Sequence, residues 1–570
     1  MLDTFESELL ARCNTDQGWP LVETFARTRR ELPDEFEHGA AILAERLRAA
    51  GLAVRQDRPS LYLGIPRSVR IECGGRSFRS KAAALSPAQE AFSAPLVHVP
   101  ARDGTARAHT NDPALIFGEG HTRETLRARV QGKVVVTEGL SNPGRSELLE
   151  ALGARAIITI NPGAAVHWGA SSIVRGNPRL DDLDALPGMV SMAVNRDEGE
   201  SLAALAREGA EVTIAADVLH GWYPQTVTTV DVRADGPLAD EFVLLHGHLD
   251  SWDVGVGDNA TGNAVLLEVA RALHAMRGRL ARSVRIAWWP GHSAGRYAGS
   301  TWYADHHAFD LRAACVAHLN CDSPGCKDAT DYRSIRGMAE AQPLVAGAVA
   351  DLFDQPCELE RPSRGGDYSF NNLGLSGALL ASSMVPAAER KRRGWYSVGG
   401  NGGSPSWHTE DDQLEVADRA VLANDVRLYA LVAARLAARN TPLLDYRLPL
   451  AQIGTQLHKA RAAAGGAIDL DTHAVLFERL QAKVQACYVP THGVPRAERW
   501  AALREASRHI VRIGYVERGP FEQDPAFAKP AVPLLSAAAQ LGTHPAAAVS
   551  LQRGANVLRA ELEAALAAID

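Results

Sequence analysis

Histidine and aspartate residues cluster in a glycine-rich stretch near the middle of the chain. The segment HGHLDSWDVGVGDNATG begins at His246 and follows an apolar run, FVLL. It contains His248 and Asp250, two residues apart, and Asp258, which stands just before a helical pattern. A carboxylate near a liganding imidazole can orient it and raise its basicity. Taken alone, Asp258 also fits a helix cap, but the segment as a whole favours a metal site.

Two later segments carry the same residue types at the ends of predicted elements. Asp322 follows an apolar run in the segment LNCDS, and His408 lies in the loop SPSWHTEDD before a long helical pattern. A single histidine or aspartate in a loop is usually a cap or a solvated side chain. The set is harder to explain in that way, because each member lies at an element boundary of one predicted sheet. Nitrogen and oxygen ligands suit zinc, with manganese or cobalt as alternatives.

The elements that must position these residues alternate between strand and helix patterns. Apolar runs in FVLLHGH, SVRIAWW, RAACVAHLNCD and SGALLASSM predict strands. Helical spacing of apolar residues marks GNAVLLEVARALHAMRG, PLVAGAVADLF and LEVADRAVLANDVRLYALVAARLA. This alternation predicts an α/β fold with a mixed, mostly parallel sheet sandwiched by helices. Ligands of such sheets gather at the carboxyl ends of the strands, where the candidate residues stand.

Three regions of the chain differ in pattern. Residues 1–58 and 235–440 predict the α/β domain, and the helix EHGAAILAERLRAAG within them is expected to end at Gly51. Residues 59–234 are β-rich and predict an inserted domain, in which GKVVVTEG, GRSELLEALGA and RAIITI indicate a parallel strand–helix–strand crossover. Residues 441–570 are alanine-rich and predict a C-terminal helical domain.

The composition narrows the class of protein. The net charge of −7 is mild and the chain has no long basic block, which argues against a nucleic-acid partner. No apolar run approaches the roughly 20 residues that cross a bilayer, and the N-terminal segment MLDTFESELLARC has no signal-peptide core. The 7 cysteines are scattered without a CxxC pair. We therefore expect a cytoplasmic protein with reduced thiols and no membrane partner.

The metal-site segments resemble a known family. HGHLDSWDVGVGDNATGNAVLLEVARAL is similar to the metal-binding segment of the di-zinc aminopeptidase and glutamate carboxypeptidase family. NCDS and PSWHTEDD are similar to its later ligand segments, in the same order, and GGDYSF resembles a loop near its substrate pocket. The stretch from GKVVVTEG to LEALGARAIITINPG looks like the protease-associated domain often inserted in its members. Residues 441–570 resemble the helical dimerisation domain of its transferrin-receptor-like branch.

This resemblance implies a role for each candidate residue. His248 and Asp322 would bind one metal, and Asp258 would bridge two metals. His408 would bind the second metal, and Asp250 would orient His248. The zinc-exopeptidase fold of the family, with one or two zinc ions per chain, is expected here.

One motif departs from the family pattern. Where the family has two adjacent glutamates, a general base and the last ligand of the second metal, GHSAGRYAGS places His292 and Ser293, with one extra residue before Gly299. Three interpretations stay open. His292 acts as the base, since an imidazole has a pKa of about 6.5; or His292 joins Asp258 and His408 on the second metal; or the reaction is not peptide hydrolysis. A neutral serine is a poor zinc ligand.

Other side chains are candidates for the substrate pocket. Asp367 lies in the GGDYSF segment, and Arg296 and Arg364 are suited to a substrate carboxylate. Trp407 and Tyr396 are candidates for the pocket wall. Surface ion pairs and ordinary core packing are the alternative roles for these residues.

The sequence thus predicts a metal-dependent hydrolase that cleaves an amide or peptide-like bond. The substrate is expected to be a small molecule or a short peptide, and the protein a homodimer through its C-terminal domain. Two alternatives from other classes are a metal-dependent lyase or isomerase on the same scaffold, and a non-catalytic receptor or scaffold protein.

Overall fold

A six-stranded sheet carries the residues predicted to do chemistry. The computed structural model describes residues 2–379, 383–440, 444–489 and 496–570. The strands of this sheet are β1 (Val54–Asp57), β10 (Val227–Val232), β11 (Phe242–His248), β12 (Ser283–Trp289), β13 (Cys315–Asn320) and β16 (Gly377–Leu379). They lie in the order β1, β10, β12, β11, β13 and β16. The last four pair in parallel, and β1 and β10 pair antiparallel. The prediction of a mixed, mostly parallel sheet is confirmed.

Helices cover both faces of this sheet. Along β11, Val243 and Leu245 point into the main core, whereas Phe242 and Leu244 belong to a second cluster on the opposite face. Successive side chains of a strand point to opposite faces, so a strand covered on both sides is an unbroken apolar run. The main core contains residues of α1 (Thr4–Leu10), α2 (Gly18–Phe25), α3 (Pro33–Ala49), α8 (Thr261–Ala275), α11 (Gln342–Phe353) and α13 (Arg419–Ala437). The second cluster contains residues of α9 (Ala298–His306) and α10 (Ala308–Ala314).

An eight-stranded sheet is built by the chain between β1 and β10. Its strands are β2 (Ser60–Cys73), β3 (Arg76–Ser77), β4 (Ser80–Ala82), β5 (Gln89–His98), β6 (Val134–Glu138), β7 (Ala156–Ile160), β8 (Val190–Val194) and β9 (Glu211–Pro224). They lie in the order β3, β2, β9, β5, β6, β7, β8 and β4. The helices of this region are α4 (Pro113–Phe117), α5 (Arg123–Val130), α6 (Pro143–Ala151) and α7 (Arg196–Arg207). β6 and β7 pair in parallel on either side of α6 in sequence, as a parallel crossover requires.

Smaller elements and a helical C-terminal region complete the described residues. A two-stranded sheet pairs β14 (Ser334–Arg336) with β15 (Glu358–Glu360), and α12 (Ala387–Arg392) follows β16. The C-terminal helices are α14 (Arg447–Ala464), α15 (Asp471–Tyr488), α16 (Arg496–Tyr515) and α17 (Ala546–Ile569). Apolar side chains of these helices continue the main core. Among the described residues, no helix combines the length and apolar character that a membrane span requires.

Several element boundaries differ from the sequence-based expectation. The range 59–234, predicted to be the inserted domain, includes β10, which pairs with β1 and β12 of the six-stranded sheet. The long helix α13 begins at Arg419 because the carboxylate of Asp418 caps it, accepting from the backbone N–H groups of residues 420 and 421. The predicted strand SGALLASSM is a strand over Gly377–Leu379, and its residues 380–382 lie outside the described residues.

A buried arginine joins the N-terminal segment to the loop that follows β11. The Arg30 side chain is fully buried. Its Nε donates to the Leu249 carbonyl at 2.8 Å, and its Nη2 donates to the carbonyls of Val254 and Gly255 at 3.0 and 3.2 Å. Burial lowers the pKa of Arg30 to about 10. These bonds fix the backbone of the loop that carries Asp250.

Replacing Arg30 with methionine tests this anchoring. The variant leaves several buried carbonyls without a donor, and each unsatisfied group costs roughly 1–3 kcal/mol. We expect the free energy of unfolding, measured by urea denaturation, to fall by about 3 kcal/mol. Arg27→Met, at an exposed position of the same segment, is the control and is expected to change stability by less than about 0.5 kcal/mol. Equal stability of the two variants would contradict the anchoring role.

Candidate metal centre

Three parallel strands bring predicted site residues to one edge of the six-stranded sheet. β11 ends at His248, β12 ends three residues before His292, and β13 ends two residues before Asp322. Because the carboxyl ends of parallel neighbours lie at the same edge, these side chains meet there. The structure therefore brings together residues that are far apart in sequence.

The carboxylate of Asp258 lies between two imidazoles. Its Oδ1 is 2.9 Å from Nε2 of His248, and its Oδ2 is 3.1 Å from Nε2 of His408. Burial raises the pKa of Asp258, but its hydrogen bonds with the two histidines outweigh burial and hold the pKa well below its usual range. Each carboxylate oxygen thus has its own imidazole partner, which is the arrangement expected of a carboxylate that bridges two cations.

A second group of ligand atoms surrounds His248. His248, His292 and Asp322 form a group able to hold a metal ion, since their ligand atoms lie within 4.8 Å of one another. The rings of His248 and His292 stack with centroids 3.9 Å apart. Oδ1 of Asp322 is 3.9 Å from Nε2 of His248. Burial lowers the pKa of His248, but the carboxylates around it raise the pKa well above its usual value.

His292 is held by two carboxylates. Its Nδ1 is 2.8 Å from Oδ2 of Asp367, and its backbone N–H donates to Oδ2 of Asp250 at 2.9 Å. Asp367 is fully buried and also accepts a hydrogen bond from the Ser300 hydroxyl at 2.6 Å. Burial raises the pKa of Asp367, but His292 outweighs burial and the pKa lies below its usual range. With Nδ1 occupied, Nε2 is the ring nitrogen of His292 left for chemistry.

Asp250 orients His248 through its backbone. Nδ1 of His248 is 2.9 Å from the Asp250 carbonyl oxygen, whereas the nearer carboxylate oxygen is 3.7 Å away. Asp250 therefore contacts His248 mainly through its backbone carbonyl, while Oδ2 of its carboxylate accepts from the backbone of His292.

A loop of the inserted region, which carries Trp168, positions His408. Its Nδ1 is 3.0 Å from the carbonyl oxygen of Trp168, and the Trp168 N–H donates to the His408 carbonyl at 2.8 Å. The Trp168 indole stacks on Trp252 with centroids 5.0 Å apart and donates to Asp253 at 3.0 Å. Because a carbonyl oxygen can only accept, Nδ1 of His408 carries the proton of this hydrogen bond. Nε2 is then the unprotonated nitrogen, and it faces Asp258.

Asn259 joins the loops that carry the ligands, and sequence reasoning missed it. Its side chain is fully buried. Nδ2 donates to the carbonyls of His248 and Cys321 at 3.2 and 2.9 Å, and Oδ1 accepts from the Ser323 N–H at 3.0 Å. Gly247 permits this close approach, since a Cβ there would lie 2.4 Å from the Cys321 carbonyl oxygen. Only the position of Asn259 beside Asp258 in the sequence hinted at its role.

Asp412 was also missed, although it lies in the segment that supplies His408. Its two carboxylate oxygens accept from the backbone N–H groups of Gly257 and Asp258 at 2.7 and 3.0 Å. Burial raises the pKa of Asp412 to about 7, and the nearby charge of Asp258 acts in the same direction. Asp412 thus fixes the backbone that presents the bridging carboxylate.

The centre opens into a cavity of about 740 Å³. Among the predicted substrate residues, Arg296 and Trp407 line the cavity, and Trp407 stacks on His408 with centroids 3.5 Å apart. The predicted role of Arg364 as a substrate ligand is corrected, because its guanidinium already pairs with Asp524 at 2.8 Å and Glu517 at 3.1 Å. Asp367, which was also predicted to bind substrate, is instead hydrogen-bonded to Nδ1 of His292.

Known proteins are similar to this chain over the region that carries the candidate centre. The model of peptidase family M28 matches residues 228–432, which contain the six-stranded sheet from β10 onward and all of the candidate ligands. Leucine aminopeptidase 2 of Arthroderma otae is 24% identical over 412 residues, which are 69% of this chain and 76% of that protein. Carboxypeptidase Q of Mus musculus is 28% identical over 200 residues, 34% of this chain and 39% of that protein.

Solved structures share the fold. The aminopeptidase from Aneurinibacillus sp. strain AM-1 superposes with a TM-score of 0.55 at 18% identity, covering 76% of this chain and 96% of that one. BSAP, a zinc aminopeptidase from Bacillus subtilis, superposes with a TM-score of 0.55 at 17% identity, covering 75% and 96%. The resemblance seen in the metal-site segments is confirmed. The family that this chain resembles over residues 228–432 is peptidase family M28.

Proposed function

We propose that this protein is a metal-dependent hydrolase that cleaves an amide or peptide bond in a small substrate. The observation that carries the proposal is the Asp258 carboxylate held between Nε2 of His248 and Nε2 of His408. Asp322 and His292 stand beside the same group. The match of residues 228–432 to the model of a peptidase family supports peptide hydrolysis. The relatives are named as aminopeptidases and a carboxypeptidase, which supports the same reaction.

The donor set fits zinc. His248 and His408 each present Nε2 with Nδ1 already bonded to a backbone carbonyl, and Asp258 and Asp322 supply oxygens. Imidazole nitrogens and carboxylate oxygens in a buried site are the ligands that zinc prefers, and manganese or cobalt accepts the same set. Zinc bound there would polarise the carbonyl of the scissile bond and lower the pKa of water. In this proposal, His248 and Asp322 would hold the first ion and His408 would hold the second, with Asp258 shared between them.

We assign His292 the role of general base. The His292 ring lies on the side of the centre that holds His248 and Asp322. We therefore do not assign it to the second metal position, beside His408. In the reaction, Nε2 of His292 accepts a proton from the attacking water and then donates it to the leaving amine. The Asp367 carboxylate at Nδ1 stabilises the imidazolium that exists between these two transfers. Ser293, which lines the cavity, is neutral and adds no charge.

This assignment predicts two zinc positions of unequal affinity. The first has two residues besides the bridging Asp258, and the second has only His408. We expect elemental analysis to find one zinc per chain after dialysis and two when zinc is in excess. His408→Ala is expected to lose only the weakly held ion, while His248→Ala loses the tightly held one and hydrolytic activity. Two ions retained equally after dialysis would instead place His292 among the ligands of the second position.

The type of reaction is tested with short peptides in water enriched in ¹⁸O. A hydrolase places the label in the new carboxylate, so we expect one labelled oxygen per bond cleaved, detected by mass spectrometry. An unlabelled product would favour the lyase or isomerase alternative. Zinc-loaded protein that cleaves none of a broad panel of peptides would favour a non-catalytic role.

The role of Asp367 is tested by Asp367→Asn. The amide keeps an acceptor for the Nδ1 proton of His292 but cannot stabilise an imidazolium by charge. Loss of such a supporting carboxylate typically costs about 10- to 100-fold, and we expect kcat to fall by that factor with zinc content unchanged. Asp240→Asn, whose side chain is 96% exposed, is the control. A parallel loss of zinc and activity in Asp367→Asn would contradict the base assignment.

We also propose that helices α14–α17 mediate dimerisation, as the resemblance of residues 441–570 implies. Exposed valines at 475, 549 and 557 on α15 and α17 offer apolar surface for such a contact. Sedimentation of the full chain gives the oligomeric state directly. The likeness of the eight-stranded region to a protease-associated domain and a cytoplasmic location remain predictions.

A further inference from the structure

The loop that carries Asp367 has no regular structure of its own. It spans residues 361–376, between β15 and β16, and these residues, all of them described, form neither a helix nor a strand. We call it the Asp367 loop. Several of its side chains are buried, including those of Ser369 and Asn372. A buried loop must find partners for its polar groups elsewhere in the chain, so the contacts around it decide where the Asp367 carboxylate lies.

One carboxylate of the C-terminal region contacts this loop at two points. Asp524 is 5% exposed and follows α16 in the sequence. Its Oδ2 lies 2.8 Å from Nη2 of Arg364, and its Oδ1 accepts from Nδ2 of Asn372 at 3.4 Å. Arg364 precedes Asp367 in the loop, and Asn372 follows it. A single carboxylate therefore holds both sides of the segment that supports the general base.

Resting on the hydrolase function proposed above, we propose that Asp524 is a positioning residue for the general base. It fixes the Asp367 loop, so that Oδ2 of Asp367 stays at hydrogen-bond distance from Nδ1 of His292. Asp524 is not among the residues that line the cavity. Its effect on the reaction is therefore indirect and passes through Asp367.

The Asp524 carboxylate is itself held in a fixed direction. The backbone N–H groups of residues 517 and 518 donate to its Oδ2 and Oδ1, at 3.1 and 3.0 Å. Arg364 is bound to the same turn, because Nη2 donates to the Tyr515 carbonyl at 2.8 Å and Nη1 to Oε1 of Glu517 at 3.1 Å. Charge-assisted hydrogen bonds are stronger than neutral ones, and the planar guanidinium adds directionality. The loop is thus fastened to the end of α16.

Neighbouring side chains of the C-terminal region bind backbone carbonyls of the loop. Nε2 of Gln523 donates to the Ser369 carbonyl at 3.1 Å, and Nη1 of Arg512 donates to the Asn372 carbonyl at 2.8 Å. Arg512 in turn pairs with Glu561 of α17 at 2.7 Å. These bonds reach the part of the loop that follows Asp367, where they act together with the Asp524 carboxylate.

The first part of the loop is also held from the inserted region. Arg175 is buried, and its guanidinium donates to the carbonyls of Arg364 and Gly366, the latter at 3.0 Å. The same guanidinium lies over the Tyr297 ring, 4.4 Å from its centroid, and the Tyr297 hydroxyl accepts from the Gly366 N–H at 2.8 Å. Because these contacts do not involve the C-terminal region, loss of the C-terminal contacts is expected to displace the loop rather than to unfold it.

Asp524→Asn tests the positioning role. The amide places a nitrogen donor where a carboxylate oxygen accepted, so at least one contact with the loop or with the turn after α16 is lost. A misplacement of about 1 Å far from the chemistry can cost roughly 100-fold in rate, and loss of a supporting partner typically costs about 10- to 100-fold. We expect kcat to fall by about 10- to 100-fold, with KM and zinc content unchanged.

Asp471→Asn is the matched control for this substitution. Asp471 also belongs to the C-terminal region and pairs with an arginine, Arg461, but its side chain is 80% exposed and contacts no part of the loop. We expect this variant to keep kcat within about twofold of wild type. A wild-type kcat in Asp524→Asn, or a fall in kcat that is matched by loss of zinc, would overturn the positioning role.

A double-mutant cycle shows whether Asp524 acts through Asp367. In Asp367→Ala the contact with His292 is already absent, so adding Asp524→Asn is expected to lower kcat by less than about threefold further. Independent effects would multiply instead, and each substitution would keep its full loss of kcat in the presence of the other. Such multiplication would assign Asp524 to overall stability alone and would contradict the proposal.

Hydrogen–deuterium exchange separates this proposal from the hydrolase function, because it does not depend on turnover. We expect the amides of residues 364–374 to exchange about tenfold faster in Asp524→Asn than in Asp471→Asn, since loss of the anchor favours local opening. If no peptide is cleaved but this pattern holds, the hydrolase function fails and the anchoring of the loop by Asp524 stands. If peptides are cleaved and Asp524→Asn changes neither kcat nor the exchange of the loop, the reverse is true.

Discussion

The contact between the Asp258 carboxylate and two imidazole nitrogens is the constraint on which the rest of this site depends. A carboxylate buried in a protein interior is costly unless each oxygen is paired. Here Oδ1 and Oδ2 each face a different histidine, at 2.9 and 3.1 Å. His248 comes from the end of β11 and His408 from a distant loop, so the position of one carboxylate fixes the relation between two parts of the chain.

Backbone contacts hold that carboxylate in place. The Asp412 carboxylate accepts from the backbone N–H groups of residues 257 and 258. The Asn259 amide donates to the backbone carbonyls of residues 248 and 321, at the ends of two neighbouring strands. Arg30 donates to a carbonyl in the loop between His248 and Asp258. These three side chains are buried and polar, and each satisfies two or more backbone groups that would otherwise be unpaired. The buried polar side chains around the site therefore fix the backbone that presents the candidate ligands.

Much of the fold was predictable from the sequence because its strands are unbroken apolar runs. FVLLHGH and SVRIAWW are buried on both faces, and this composition is typical of parallel strands. The four candidate ligands were found because each follows such a run or precedes a helix. The supporting groups could not be found in that way. Trp168 and His408 are 240 positions apart, and a backbone carbonyl leaves no signature in its residue type. Arg364 failed for the opposite reason, since nothing in its neighbourhood in the sequence reveals Asp524 as its partner.

The hydrogen bond between Nδ1 of His408 and the Trp168 carbonyl means that the inserted region helps to position a candidate metal ligand. The tautomer of His408 depends on a carbonyl supplied by a loop of the eight-stranded region. If the proposed second cation position is occupied, docking of that region and binding of the cation would stabilise one another by the same free energy. Residues 228–432, which match the family model, therefore do not contain every group that positions the candidate ligands. A change in the shape of the loop that carries Trp168 leaves every candidate ligand in the sequence and still displaces the carbonyl that orients His408.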